Sequence, residues 1–308
     1  MAVWFFLFWQ TPHVSGPLRQ EIYVWQRAWT QPVRDAVSQH ATNFAEIAVL
    51  RAEISWTTNR QPQLVRARVD YPTLARAQRP VGIALRIGTF AGPFTNDVIA
   101  GFIVDTADRI VAEARTNGVT LAELQIDFDC AESKLDGYRV WIEAIQQRVA
   151  PLPVTITALP SWLDARAFRR LARVATNYVL QVHSAERPRN SSAAITLCDP
   201  RAARRAVESA GRIGVPFRVA LPTYGYLLAF ADTGKFISLS AEGPRPNWPT
   251  NALIRKVESD SAELAGLIRG WTASRPTVMR GVIWYRLPVA SDKFNWSWPQ
   301  LQRVMRGE

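Results

Sequence analysis

The stretch Glu123–Glu132 (ELQIDFDCAE) sets the tightest limit on what this chain can fold into. Its apolar residues alternate with a polar set, and alternate side chains of a strand share a face. Carboxylates that face a protein interior are costly unless they are paired, hydrogen-bonded or used in chemistry. Two of them at the carboxyl end of a strand, just before a helix, indicate a catalytic site at the top of an α/β barrel. The inward-facing polar set comprises Gln125, Asp127 and Asp129.

Strand-like and helix-like segments alternate along the chain and predict its fold class. Eight strands that mostly alternate with helices, joined largely by short Pro- or Gly-bounded connections, are typical of an α/β protein with a single-domain (β/α)8 TIM barrel. The predicted strands are Glu21–Trp29, Phe44–Trp56, Pro80–Phe90, Leu124–Asp129, Val154–Leu159, Tyr178–His183, Phe217–Leu221 and Gly281–Leu287. The predicted helices are Gln31–Thr42, Asn96–Asn117, Ser133–Val149, Leu163–Ala175 and Asp199–Ile213.

The domain organisation follows from two irregular segments. We expect residues 1–20 to form an apolar N-terminal extension and residues 21–308 to form the barrel domain. The apolar run Val3–Trp9 is far too short to span a bilayer, and it lacks the basic region and cleavage site of a signal peptide. Residues 224–250 follow the seventh strand and are rich in Pro, Gly and aromatic residues. This segment predicts a long loop on the catalytic face.

The charge of the chain raises the question of an anionic partner. The formal net charge is +11, and only four of the 37 basic residues are lysine. A basic excess is found in proteins that bind nucleic acid or an anionic surface. The arginines are spread along the chain, however, and two groups have the spacing of a solvated helix face. We therefore do not expect a nucleic-acid partner. The two groups are Arg166, Arg169, Arg170 and Arg173, and Arg201, Arg204 and Arg205.

Asp127, Asp129 and Glu132 are the candidate catalytic residues. Glycoside hydrolysis needs a general acid and a second group that stabilises the positive transition state. Crowded carboxylates raise one another's pKa, which keeps one of them protonated near neutral pH. The alternative is that these acids cap the next helix or pair with barrel arginines such as Arg86 or Arg286. Glu132 lies past the strand, where it could simply favour the start of the helix.

The candidate substrate-binding residues come from strand ends. Tyr224 follows the seventh strand and precedes a glycine, and Gln181 and His183 share a face of the sixth. Trp284 lies on the eighth strand, where it could form the floor of a sugar pocket, and Trp25 is one of several tryptophans near strand ends. Each has an ordinary structural alternative, such as a turn exit, a hydrogen-bonded histidine or a core filler. The predicted set is Trp25, Gln181, His183, Tyr224, Trp284 and Arg286.

Several sequence motifs are absent, which narrows the chemistry. The chain has no P-loop, no GxGxxG and no GxSxG, so we expect neither a nucleotide cofactor nor a serine nucleophile. Its two cysteines do not form a CxxC pair, and it has three histidines, so we predict no metal site. We expect a monomer that needs no cofactor.

Short motifs resemble two known families. The order of D-x-D in QIDFDC, P-x-Y-G after the seventh strand and tryptophan on the eighth resembles the chitinase-like glycoside hydrolases of family 18. In that family, an acidic run on the fourth strand ends in the catalytic acid, and the substrate's acetamido group serves as nucleophile. More closely, QIDFDC, LDGY and QVHS resemble a bacterial barrel family catalogued as domain of unknown function 3142, from about Glu21 to Pro288. That resemblance implies a barrel fold and no established activity.

One position departs from the chitinase pattern. The terminal glutamate of family 18 corresponds to Ala131 here. Either Asp129 replaces that acid, or Glu132 serves from a shifted position, or the acid is lost. The leading expectation is a glycoside hydrolase that acts on an oligosaccharide or polysaccharide, and the alternative is a glycan-binding barrel without catalysis. A third alternative is a binder of an anionic polymer or membrane surface. Sugar-polymer chemistry suggests the cell envelope or export.

Overall fold

Eight parallel strands close into a barrel, which confirms the predicted (β/α)8 fold. A computed structural model describes residues 11–59, 61–95, 97–184, 188–241 and 246–308. The barrel strands are β1 (Arg19–Val24), β2 (Glu46–Trp56), β3 (Val81–Ile87), β4 (Leu121–Phe128), β5 (Val154–Ala158), β6 (Tyr178–Gln181), β7 (Phe217–Pro222) and β8 (Met279–Tyr285). Each strand pairs in parallel with its neighbours in this order, and pairing of β1 with both β2 and β8 closes the ring.

Helices cover the outside of the barrel. They are α1 (Gln31–His40), α2 (Tyr71–Arg76), α3 (Asp97–Thr116), α4 (Leu135–Val149), α5 (Arg166–Ala175), α6 (Pro200–Gly211), α7 (Ser261–Ala273) and α8 (Trp298–Met305). Side-chain alternation gives each strand one face towards the helices and one towards the barrel axis. On the axis side, Ala48, Ala84 and Ala220 are small, which leaves room inside the upper barrel.

The first part of the segment expected to be a long loop after the seventh strand instead forms two strands of an antiparallel sheet, whose third strand follows that segment. The strands of this sheet are Gly225–Phe230, Phe236–Ser240 and Leu253–Glu258, and we call it the insertion sheet. The physical reason is alternation, because Tyr226, Leu228 and Phe230 bury one face in a small apolar cluster of their own. The loop was predicted from the Pro and Gly content alone, and that prediction did not take the alternation of apolar residues into account.

The N-terminal part of the chain is described from Thr11 onward. The apolar run Val3–Trp9 lies outside the described residues. A short strand, His13–Val14, pairs with Arg275–Pro276, and Arg19 already begins the barrel. None of the helices in the described ranges has the length and apolar character that crossing a membrane requires.

A buried ion cluster occupies the barrel interior near the amino ends of the strands. Arg218 on β7 is only 4% exposed, and it donates to Glu21 at 2.6 Å and to both oxygens of Glu123 at 2.7 and 2.8 Å. Arg19 reaches the cluster from the surface and donates to Glu21 at 2.7 Å and to Glu46 at 3.1 Å. Three carboxylates therefore share two arginines in this cluster.

Glu46 is the member of this cluster that holds a proton. Burial, and then the charges of Glu123 and Glu21, raise the pKa of Glu46 to about 8. Burial would also raise the pKa of Glu123, but Arg218 and a 2.6 Å hydrogen bond from Thr155 hold it below its ordinary value. A proton on Glu46 leaves two carboxylates facing two arginines, which balances the charge.

The raised pKa of Glu46 predicts a pH-dependent stability. The folded state keeps the proton up to about pH 8, whereas an unfolded glutamate loses it near its ordinary value of 4.5. This contribution is therefore complete below about pH 4.5 and is lost as the pH rises to about 8, by about 1.4 kcal/mol per pH unit at most. Urea unfolding at several pH values should show that Glu46→Gln removes this slope.

The matched control for that measurement is Glu258→Gln, which changes an exposed surface pair with Lys256. Its unfolding free energy should follow that of the wild type at every pH, because the side chains of that pair are about half exposed. Parallel curves for Glu46→Gln and the wild type between about pH 5 and about pH 8 would contradict a buried, protonated Glu46.

Candidate active site

A cavity of about 490 Å³ opens at the carboxyl ends of the barrel strands. Its wall combines carboxylates, arginines and aromatic rings, contributed by all eight barrel strands or the loops that follow them and by the insertion sheet. Active sites of TIM barrels lie at this face, because the loops that follow the strands converge there. The cavity is therefore the candidate active site.

Asp127 lies at the end of β4 and points into this cavity, with 8% of its surface exposed. The Thr157 hydroxyl donates to its Oδ1 at 2.9 Å, and the Gln181 amide donates to the same oxygen at 3.1 Å. The Arg86 guanidinium lies 3.6 Å from Oδ2. Burial raises the pKa of Asp127 above its ordinary value, while Arg86 and the two hydrogen bonds oppose the rise.

Asp129 lies two residues further on, at the mouth of the cavity, with an exposed side chain. Its carboxyl group makes no hydrogen bond to a described residue. Loss of solvent near the cavity wall, and then the charge of Asp127, raise the pKa of Asp129 to about 6. Of the two carboxyl groups, Asp127 has the donors that stabilise an anion. Asp129 is consequently the better proton carrier of the pair.

A row of alternating charge crosses β2, β3 and β4 at one level. Glu53 is in register with Arg86, and Arg86 is in register with Asp127. Arg27 donates to both oxygens of Glu53, and Arg86 lies 3.7 Å from that carboxylate. The sequence interpretation did not place Glu53 or Arg27 in the site. The available signal was a charged residue near the carboxyl end of each of two predicted strands.

Aromatic rings form the opposite wall of the cavity. Tyr285, the last residue of β8, packs edge-on against Trp25 at 5.5 Å and against Tyr224 at 5.5 Å, measured between ring centroids. Tyr23 packs edge-on against Trp25 at 5.1 Å. Tyr23 and Tyr285 were not among the predicted binding residues. Such a wall suits the apolar face of a sugar ring, because aromatic faces bind C–H groups.

His183 joins this wall through a stack on Tyr285, with ring centroids 5.3 Å apart. Burial lowers the pKa of His183 to about 4, so its ring is neutral near pH 7. Its Nδ1 is buried and has no hydrogen-bond partner among the described residues. A neutral imidazole nitrogen of this kind can accept from, or donate to, a ligand hydroxyl.

Two predicted site residues do not reach the cavity. Trp284 is fully buried on the helix-facing side of β8, and its ring nitrogen donates to Gln20 at 2.7 Å. It cannot be the cavity floor, because its neighbours Ile283 and Tyr285 occupy the axis-facing side. Glu132 is exposed in a short 3-10 turn, Glu132–Lys134, outside the cavity wall.

Arg286 does line the cavity, but structural partners hold its guanidinium. It is 2% exposed, and it donates to the Asp292 carboxylate and to the Ala241 carbonyl. Its guanidinium carbon also lies 5.7 Å from the centre of the Tyr224 ring. Arg286 therefore fastens the loop after β8 and the end of the insertion sheet to the cavity wall.

The chemical groups of the cavity include carboxyl groups, guanidinium groups and aromatic rings. Within the described ranges, no group of three or more His, Cys, Asp or Glu side chains is arranged to hold a metal ion. The cavity instead presents a proton carrier, a partly stabilised carboxylate and an aromatic wall. This combination can protonate a leaving oxygen and stabilise positive charge on a bound ring.

Comparisons with known proteins connect this fold to several solved structures. The family model described as "Domain of unknown function (DUF3142)" matches residues 78–290. The spore cortex-lytic enzyme SleL of Bacillus megaterium QM B1551 is 13% identical, with a TM-score of 0.64 over 96% of this chain and 74% of that one. The same enzyme from Bacillus cereus is 10% identical, with a TM-score of 0.65 over 96% and 75%.

A chitinase from Chromobacterium violaceum ATCC 12472 has the same fold. It is 12% identical to this chain, with a TM-score of 0.59 over 94% of this chain and 99% of that one. Comparison with curated proteins gave no match. At identities this low, the solved structures establish the fold alone.

Proposed function

This chain belongs to the family described as Domain of unknown function (DUF3142), and we propose that it is a carbohydrate-active barrel that hydrolyses glycosidic bonds. The observation that carries the proposal is the carboxyl group of Asp129. It has no hydrogen-bond partner among the described residues, and its pKa of about 6 leaves it partly protonated near neutral pH. It lies beside Asp127 at the mouth of an aromatic-lined cavity.

The proposed reaction uses the two carboxyl groups in different roles. Asp129 donates its proton to the glycosidic oxygen as the bond to the anomeric carbon breaks. The Asp127 carboxylate, held by Thr157 and Gln181, stabilises the positive charge that develops on the sugar ring. The hydroxyl group of water bonds to the anomeric carbon, and the remaining proton of that water restores the acid.

Binding of the sugar falls to the aromatic wall and its polar neighbours. Trp25 and Tyr285 offer ring surfaces to the apolar side of a pyranose. Gln181 and the unpartnered Nδ1 of His183 offer hydrogen bonds to its hydroxyl groups. The solved structures with this fold include enzymes described as a chitinase and a spore cortex-lytic enzyme, which accords with the proposal.

The role of Asp129 as an acid predicts the pH dependence of the rate. A general acid works only while it is protonated, so kcat/KM should fall as the pH rises through about 6. Because Asp127 and Asp129 titrate together, the midpoint of this fall in kcat/KM gives an apparent pKa of the pair. Rates measured from about pH 4 to about pH 9 would show the fall, with urea unfolding over the same range as the control. A rate that stays level up to about pH 8 would contradict this role.

The test of the proposal is release of reducing ends from a panel of glycans. The panel should include bacterial envelope polymers, exopolysaccharides and chitin, each incubated with purified wild-type protein. Release from one or a few of them is the expected result. If no glycan is cleaved although one binds saturably, the protein does not hydrolyse the glycans of that panel, and its function is glycan binding.

That outcome corresponds to the second candidate function, a glycan-binding barrel without catalysis. Ala131 favours it, because family 18 has its catalytic glutamate at this position. Glu132 does not compensate, since its side chain lies outside the cavity wall. In this case Asp129→Asn should leave the glycan dissociation constant nearly unchanged, because an exposed carboxyl group at the cavity mouth contributes little to uniform binding.

A further inference from the structure

The basic residues of α5 and α6 account for much of the net charge of the chain. The two helices contain seven arginines and one glutamate, a formal charge of +6 out of +11 for the whole chain. They make up 10 and 12 of the 308 residues. In the sequence these arginines form two separate groups, and in the fold the groups lie on consecutive helices. The strands β5 and β6 pair directly, so the helices that follow them are consecutive around the barrel.

Most of these arginines are exposed and available for a ligand. Arg170 pairs with Asp136, and Arg204 donates to the Gly266 carbonyl of α7. The other five are exposed and form no ion pair with a described residue. We call these five the arginine face. They are Arg166, Arg169, Arg173, Arg201 and Arg205.

The arginine face begins at the same end of the barrel as the cavity. Each helix of a (β/α)8 barrel runs back against its strand, so its amino end lies at the carboxyl end of that strand. Arg166 is the first residue of α5, and Arg201 is the second of α6. A polymer held at the cavity mouth could therefore continue down the outside of the barrel along these helices.

The chemistry of the arginine face selects the kind of partner. Guanidinium groups bind carboxylate and phosphate groups, and sulfate groups of similar shape, through paired hydrogen bonds. Neither helix exposes a large hydrophobic side chain that could enter a bilayer, and neither exposes an aromatic ring that could stack on a base. The large hydrophobic side chains that are exposed in the described ranges are Val14, Val65, Val98, Val140, Ile237 and Leu253.

We propose that the arginine face binds an acidic polysaccharide outside the cavity. The choice of a polysaccharide among polyanions rests on the proposed carbohydrate function of the cavity. The ligand is a glycan with a carboxylate or sulfate group on many of its sugars. The arginine face holds this chain electrostatically, and the cavity receives one part of it.

The experiment measures binding to polygalacturonate, with neutral dextran as the comparison polymer. The wild type should bind polygalacturonate but not dextran, and the affinity should fall steeply between about 50 and about 200 mM salt. The triple variant Arg166→Gln/Arg169→Gln/Arg173→Gln should weaken binding about ten- to hundredfold. Each arginine near a charged surface contributes a roughly equal part of the binding free energy. Glutamine is chosen because it keeps the helix propensity of α5.

A matched triple variant separates local from overall charge. Arg109→Gln/Arg115→Gln/Arg303→Gln removes the same charge from exposed positions on α3 and α8. It should bind polygalacturonate like the wild type. Equal losses in the two triple variants would overturn the assignment to the arginine face, and so would a wild type that does not bind polygalacturonate.

Two further probes test the class of partner. Duplex DNA and vesicles with anionic phospholipid should bind more weakly than polygalacturonate at matched salt. If either binds as tightly, and through the same three arginines, the polysaccharide assignment is wrong. Release of reducing ends by the wild type reports on the cavity separately. A protein that binds polygalacturonate through the arginine face but cleaves no glycan would retain this inference and lose the proposed hydrolase.

Discussion

Replacement of Asp129 by asparagine is expected to lower kcat/KM on the best glycan substrate by about two to four orders of magnitude, the usual contribution of a general acid. Asparagine keeps the shape of the side chain but has no acidic proton to give to the leaving oxygen. The unfolding free energy near pH 7 should not fall, because asparagine removes a carboxylate whose ionisation is opposed by the charge of Asp127 and which makes no hydrogen bond to a described residue. Steady-state rates and urea unfolding measure the two quantities.

The matched control is Glu132→Gln, three residues away and outside the cavity wall. This variant should keep the wild-type rate if Asp129 is the acid. If Glu132→Gln loses activity and Asp129→Asn retains it, the acid acts from the shifted position and the proposed roles are wrong. Asp127→Asn should also lower the rate, although Thr157 and Gln181 would then need new hydrogen-bond partners.

The second large effect concerns stability, and it involves the ion cluster at the base of the barrel. Arg218→Met should lower the unfolding free energy by about 3 to 5 kcal/mol, because it leaves the Glu21 and Glu123 carboxylates buried without their main cation. Arg218 is 4% exposed, and both of its terminal nitrogens donate to these carboxylates. The deficit should shrink as the pH is lowered towards about 4, because the stranded carboxyl groups then take up protons.

A compensating variant keeps this prediction testable if Arg218→Met fails to fold. The double variant Arg218→Met/Glu123→Gln removes one anion with the cation, so it should be more stable than the single variant. Arg170→Met, which breaks the exposed pair with Asp136, is the control and should cost less than about 1 kcal/mol. A single variant that is no less stable than this control would show that the cluster is not needed for folding.

The fold was predictable because it depends on patterns that repeat along the chain. Alternation of strands and helices was enough to predict a barrel, and each barrel strand lies where a strand was expected. The insertion sheet was missed because the Pro and Gly content around it outweighed the alternating Tyr226, Leu228 and Phe230. The ion cluster was missed for a different reason. Glu21, Glu46 and Glu123 are far apart in sequence, and only closure of the barrel brings them to Arg218.

The candidate site was predictable where polarity distinguished the two faces of a strand. On β4, carboxylates could only be the axis-facing set, and Asp127 does line the cavity. On β8, both faces are apolar, so the sequence could not indicate which one faces the axis. Strict alternation puts Trp284 and Arg286 on the same face, so the assumption that Arg286 points into the barrel led to the wrong face for Trp284. Arg286 lies beyond Tyr285, the last residue of the strand, where strict alternation no longer applies.

The buried ion cluster also determines how a long molecule can approach this protein. Tyr23 lines the cavity, and its hydroxyl donates to Gln125 at 2.7 Å, while Gln125 in turn donates to Glu123 above Arg218. Side chains therefore close the lower end of the cavity, and a polymeric ligand cannot pass through the barrel along its axis. A polymeric ligand that enters the cavity end-first has to stop at Tyr23, whereas one that lies across the opening can extend on both sides. The lengths of the released fragments would distinguish these two approaches.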